Sequence, residues 1–215
     1  MIIFADWKTN ERRINTMKRT VFYLLAAACV LTGCHRMQKF TISGEAAAAG
    51  LPEDTQTIQL VSEGLPQPLT ATVTDGSFSF QGEVEKPVLA KFLSSSQKQQ
   101  HFPSVILEKG TITFEDGRPV GTPLNDANKA FIQQLKDIRK AHDNKDDYLK
   151  ATEEAYLAFI SQHKNDPCAV FAILLADQRL APESVLKLIA TASPENQNVG
   201  EVRALANRMK RKIAK

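Results

Sequence analysis

Cysteine, tryptophan and tyrosine are scarce in this chain. Its 215 residues include three cysteines (Cys29, Cys34 and Cys168), one tryptophan (Trp7) and three tyrosines. No two cysteines stand in Cys-x-x-Cys spacing. That removes the attacking and resolving thiols of a thiol:disulfide centre. The four histidines, His35, His101, His142 and His163, form no His-Glu-x-x-His pair, so the zinc arrangement on one helix face is missing. There is no Gly-x-Ser-x-Gly elbow and no glycine-rich loop to cradle phosphate. Ser94-Ser95-Ser96, followed by Gln97 and Lys98, reads as a loop. Read as a calcium loop from Asp143, the chain places Glu154 correctly. Lys145 and Tyr148 fall where an oxygen ligand and a glycine are needed, so His142 to Asp147 reads as a polar connection between helices. The sequence leads us to expect no catalytic site, no metal site, no cofactor and no enzyme activity.

Long apolar runs are also few. Val21 to Leu31 (VFYLLAAACVL) spans about 11 residues, short for a membrane helix and within the range of a signal-peptide core. Met17-Lys18-Arg19 precedes it as a start with a basic flank, and Leu31-Thr32-Gly33-Cys34 comes after it. That tetrapeptide resembles the lipobox of bacterial lipoproteins, in which a cysteine thiol takes the diacylglyceryl group and small residues expose the preceding bond to the peptidase. The resemblance implies a leader over 1–33 (the signal peptide proper being 17–33), a lipidated tether over 34–38, and an acyl-anchored Cys34. Met1 to Thr16 fits a basic flank poorly, which leaves Met1 and Met17 as alternative starts. Cys34 is succeeded neither by an aspartate directly nor by an acidic run. The expected location is therefore the outer membrane, facing the periplasm. Cys29 leaves with the leader, and Cys168 remains as a lone thiol with no intrachain partner.

Beyond the leader no charge of one sign dominates. Lys8, Arg12, Arg13, Lys18 and Arg19 precede Cys34, as do Asp6 and Glu11. The stretch from Cys34 to Lys215 carries 22 basic and 22 acidic residues, so the net +3 of the whole chain belongs to the leader. Nucleic acid is not an expected partner. Tyr148 and Tyr156 are the only tyrosines after Cys34, and no tryptophan lies beyond it, which disfavours a glycan site built on stacking. Arg208, Lys210, Arg211, Lys212 and Lys215 suit the end of a helix.

What is present is a change of period. Phe40 and Ile42, Ile58 and Leu60, Phe78 and Phe80, Val88 with Ala90 and Phe92, and Ile112 and Phe114 alternate with polar residues as half-buried strands. Asp75-Gly76 and Lys109-Gly110 read as hairpin turns, and Gly64, Pro66 and Pro68 break the chain between strands. After Thr122-Pro123 the spacing becomes helical, through Phe131, Leu135 and Ile138, then Leu149, Tyr156, Phe159, Ile160 and His163. Asp166-Pro167 opens an apolar helix over Cys168 to Leu175. Pro182 opens another, and Ser193-Pro194 caps the last, which carries Val199, Val202, Leu205, Met209 and Ile213. The expected fold class is α+β: an antiparallel β-sandwich-like domain over 39–120, then a helical region over 121–215.

Four segments carry a family resemblance: Lys39-Phe-Thr-Ile-Ser-Gly44, Thr74-Asp-Gly-Ser-Phe-Ser-Phe-Gln-Gly82, Glu85-Lys-Pro-Val-Leu-Ala90 and Gly121-Thr-Pro-Leu-Asn125. In this order behind a lipobox, they resemble a domain of unknown function of Bacteroidetes lipoproteins. In those proteins it usually stands N-terminal to a thioredoxin-like thiol:disulfide oxidoreductase domain. The resemblance covers roughly Lys39 to Phe131. With no Cys-x-x-Cys before Lys215, it implies the accessory part without the redox chemistry. The expected role is a non-catalytic outer-membrane lipoprotein, anchored in the membrane at Cys34 and binding an envelope protein or a small ligand. The alternative is an accessory to a separate thioredoxin-like protein, touching it through Cys168 or the strand surface. Cys34→Ala is expected to abolish incorporation of labelled palmitate and to leave the chain at precursor size on a gel.

Overall fold

Alternating apolar residues build two sheets around one shared core. The computed structural model describes residues 37–52, 54–94 and 104–215. Leader, lipobox and Cys34 lie outside them, as do Ser95, Ser96, Gln97, Lys98 and His101. Among the described residues the strands are β1 (Gln38–Glu45), β2 (Thr57–Val61), β3 (Leu69–Thr72), β4 (Ser77–Val84), β5 (Val88–Ser94), β6 (Ser104–Leu107), β7 (Gly110–Glu115) and β8 (Arg118–Val120). The first sheet runs β4-β1-β7-β8 and the second β3-β2-β5-β6. Phe40, Ile42, Phe78, Phe80, Ile112 and Phe114 from the first meet Ile58, Leu60, Ala90, Phe92, Val105 and Leu107 from the second. The rings of Phe78, Phe80 and Phe114 lie 5.7–6.0 Å from that of Phe92 or from one another, mostly tilted or edge-on, the geometry that ring quadrupoles favour. Opposite Phe40 stands Gly82, where a Cβ would come within 2.6 Å of the ring.

Two expected hairpins turn out differently. Asp75 and Gly76 do form a tight turn with positive φ (50° and 75°), held by a single bridge from Thr74 to Ser77. The strands it joins, β3 and β4, belong to different sheets. Lys109-Gly110 makes no hairpin. β6 pairs with β5 in the second sheet, and the chain crosses at Gly110 (φ 132°) into β7 of the first. The crossing lets β6 keep Val105 and Leu107 in the shared core. The Asp-Gly turn that does close a hairpin is Asp116-Gly117 (φ 51° and 73°), between β7 and β8. Pairing is not antiparallel throughout either: β7 lies parallel to β1, with Ile42 beside Ile112.

The helices come next as α1 (Pro123–Ala141), α2 (Lys145–Gln162), α3 (Pro167–Ala176), α4 (Pro182–Thr191), α5 (Pro194–Gln197) and α6 (Gly200–Ile213), which completes an α+β architecture. None of the described helices is long and apolar enough to cross a membrane. α3 is apolar nearly all round and packs against α1, α2, α4 and α6 as well as β5 and β6. Phe131 stacks on Phe159 (4.1 Å, 9°) and meets Tyr156 edge-on at 5.1 Å. Where the spacing predicts one last helix there are two. Ser193 caps the short α5 through the Asn196 N–H, the chain bends at Asn198, and α6 starts anew. Asn198 accommodates the break because α5 ends there in a tight turn, its N–H bonded to the carbonyls of Pro194 and Glu195.

Strands and helices join at the outer edge of β6. Among the described residues no strand neighbours that edge, and unpaired backbone groups at a buried edge are costly. Asn125 stands in for the missing strand. Its Oδ1 accepts from the Ile106 N–H (2.9 Å), and its Nδ2 donates to the Ile106 carbonyl (2.8 Å) and to Thr122 Oγ1 (2.8 Å). Glu108 lies just beyond β6 and accepts the N–H groups of Leu124 (2.8 Å) and Asn125 (3.3 Å), satisfying the first turn of α1. Asn125→Ala is expected to lower the unfolding free energy by about 2–4 kcal/mol, because Ile106 keeps two buried unpaired groups. Urea unfolding monitored by circular dichroism measures it, and Lys136→Ala on the exposed side of α1 is the near-neutral control.

Candidate functional site

The second sheet has two unlike faces. One lies in the shared core. The other carries Leu89, Lys91, Leu93 and Ile106, and the helices cover it only in part. Between it and helices α1, α3 and α6 lies an open cleft of about 850 Å³. Leu89, Phe171, Leu174 and Leu205 give it an apolar wall, and Leu93 at its rim is 43% exposed. Lys91 pairs with Glu201 across it, linking β5 to α6. Arg208 on α6 is held by Asp177 at 2.6 Å.

At one end of the cleft stands Arg118, the first residue of β8. Two smaller recesses also meet there. One, of about 60 Å³, is walled by Ser104, Asn125 and Asn128. The other, of about 340 Å³, is rimmed by charged residues including Glu115, Lys129 and Lys136. Arg118 and Ile132 line all three. Glu115 faces Arg118 across the β7–β8 ladder but pairs with Lys129. Burial, and then the like charge of Arg179, hold the Arg118 guanidinium below its ordinary value. The geometry suits binding of a ligand with a polar end and an apolar body.

The fold assembles a second cluster that sequence spacing does not flag. His163 ends α2, Asp166 caps α3, and Cys168 lies in the first turn of α3. Their donor atoms all lie within 4.8 Å of one another. Asp166 Oδ2 meets His163 Nδ1 at 2.9 Å, while its Oδ1 accepts the Cys168 N–H at 2.9 Å. The thiol donates to the Leu124 carbonyl at 3.4 Å. These bonds hold the start of α3 against the start of α1. Cys168 is fully buried. Burial first, then the negative charge of Asp166 and Glu108, raises its thiol well above the ordinary 9.0. Fully buried, Cys168 presents no thiol at the surface of this structure. A helix cap with a cysteine two residues on is the readable signal for this cluster.

The other sequence candidates are brought to no common point. Asn144 caps α2 through the N–H groups of Asp146 and Asp147, which makes the His142–Asp147 stretch a helix connection. Tyr156 is fully buried, and Tyr148 lies under the Arg139 guanidinium. Lys210, Arg211 and Lys212 occupy the last turn of α6.

Because the native state holds the Cys168 proton more tightly than the unfolded chain does, the thiol's contribution to stability is complete below about pH 9 and fades as pH rises above it. Urea midpoints measured from pH 8 to pH 10 are expected to fall more steeply for the wild type than for Cys168→Ala.

Residues 40–128 match the model of a family described as a domain of unknown function (DUF4369). No curated protein and no solved structure matches the chain. The match runs from Phe40 in β1 to Asn128 in α1, and the helices beyond α1 lie outside it.

Proposed function

We propose that this protein is a lipid-anchored, non-catalytic binding module of the bacterial cell envelope. Cys34 carries the acyl chains, and the module faces the periplasm from the outer membrane. The observation that carries the binding role is the cleft between the second sheet and the helices. It is open, apolar along one wall, and supplied with polar groups at the Arg118 end. Such a combination recognises a ligand by burying its body and orienting its head. The sequence from Met17 to Cys34 supports the anchoring. Anchoring by two or more acyl chains is stable because each buried methylene contributes about 0.8 kcal/mol.

Fractionation and ligand screening test the two halves of this reading separately. The wild type is expected in the outer-membrane fraction, protected from protease in intact cells and digested once the outer membrane is opened. Cys34→Ala should lose that association. In a thermal-shift screen of the full chain, Ala204→Trp fills the cleft and is expected to abolish stabilisation by any compound that raises the wild-type Tm. A compound turned over by the wild type and left intact by a cleft variant would make the protein an enzyme instead.

A further inference from the structure

The Arg118 end of the cleft has an unmet electrostatic demand. The guanidinium is half-buried and presents a fork of N–H donors, yet no carboxylate or carbonyl of the described residues bonds it. The acids nearby are otherwise engaged: Glu115 with Lys129, and Asp126 Oδ1 with the Gly121 N–H at 3.0 Å. Arg179 adds a second positive charge to the same neighbourhood. A partly desolvated cation with no counter-ion is unfavourable, and an anion from outside relieves it.

Beside it an independent group is also unsatisfied. Asn128, only 5% exposed, lines the small recess that Arg118 also lines. Its Oδ1 has no hydrogen-bond partner. Asn125, one turn away, shows the contrast, with both amide atoms fully used. Thr152 Oγ1, Tyr156 OH and Asp177 Oδ1 are buried without a hydrogen-bond partner as well, but of these four groups Asn128 is the one that lines the recess shared with Arg118, and a buried polar atom left unpaired calls for an explanation. Turned about its last bond, the same amide offers N–H donors to an oxyanion.

The apolar wall begins where these polar groups end. Ile132 and Phe171 line both the small recess and the main cleft, and Leu174 and Leu205 continue the wall. We propose that the cleft binds a small carboxylate with an apolar body, its oxyanion held by Arg118 and Asn128 and its body laid along Phe171 and Leu174. This rests on the reading of the cleft as the module's ligand site. Arginine suits a carboxylate because two parallel N–H groups meet two oxygens in one plane.

The probe pair is phenylbutyrate and its uncharged match phenylbutyramide, titrated into the full chain by calorimetry. The acid is expected to bind about tenfold more tightly than the amide or better, the margin of a charge-assisted hydrogen bond. Arg118→Gln should erase that preference without lowering Tm. Asn128→Asp, which sets a carboxylate beside the site, should abolish acid binding and spare amide binding. Equal affinity for acid and amide, or an undiminished preference in Arg118→Gln, overturns the carboxylate assignment and leaves the cleft a ligand site. Binding of neither probe overturns the carboxylate assignment. If the thermal-shift screen also finds nothing that Ala204→Trp abolishes, the cleft fails as the module's ligand site, while anchoring at Cys34 is read independently by palmitate labelling.

Discussion

The carboxamide of Asn125 closing the edge of β6 is the interaction on which the rest of this architecture hangs. A sheet edge must be exposed, paired or covered. Here it is paired by a side chain that belongs to the first helix, so sheet and helical layer cannot separate without uncovering Ile106 on both its backbone groups. Glu108 works in the opposite direction, reaching from just past the strand to the opening turn of α1. Thr122 is tied to the same amide. Strand end, turn and helix start thus form one hydrogen-bonded unit, with every bond inside a low-dielectric region where loss of one partner is expensive.

That unit also places the cleft. With α1 fixed to the edge of β6, α3 settles over β5 and β6, tethered by the Asp166 cap and by the Cys168 thiol on the Leu124 carbonyl. The helices cover the outer face of the second sheet unevenly as a result. Ile106 is fully buried, whereas Leu93 keeps 43% of its surface. The uncovered strip is the floor of the cleft. Arg118 reaches its end because the β7–β8 hairpin is short and its turn brings that strand back beside α1.

Strands, helix starts and the class of fold are legible because each rests on local chemistry. Phe78 and Phe80 alternate with serines, and Asp166-Pro167 and Ser193-Pro194 read as helix openings that the structure caps through Cys168 and Asn196. Pairing is not legible, since it depends on residues far apart. The Asp75-Gly76 turn has the expected backbone yet joins two sheets. Asp116-Gly117 carries the same dipeptide signal, is absent from the expected turns, and closes the β7–β8 hairpin. The cleft leaves almost no trace. An arginine just beyond an Asp-Gly turn looks like any solvated charge until the fold removes its counter-ions. Asn128 looks like an ordinary helix residue until its burial is known.

The parallel contact of β1 with β7 sets the order in which the chain can fold. β1 is an interior strand of its sheet, yet Phe40 and its partner Gly110 are seventy residues apart. Closing so large a loop delays the pairing relative to local turns. A chain synthesised from its N-terminus delivers β1 first and must hold its sheet incomplete until β7 arrives. During that interval β4 can close one edge of β1, but the other edge stays open to neighbouring chains, a state prone to intermolecular pairing. The local β2–β3 hairpin and the helices can form meanwhile. Completion of the first sheet is then the late step, and yield on expression should depend on how soon residues up to 115 emerge after the first strand.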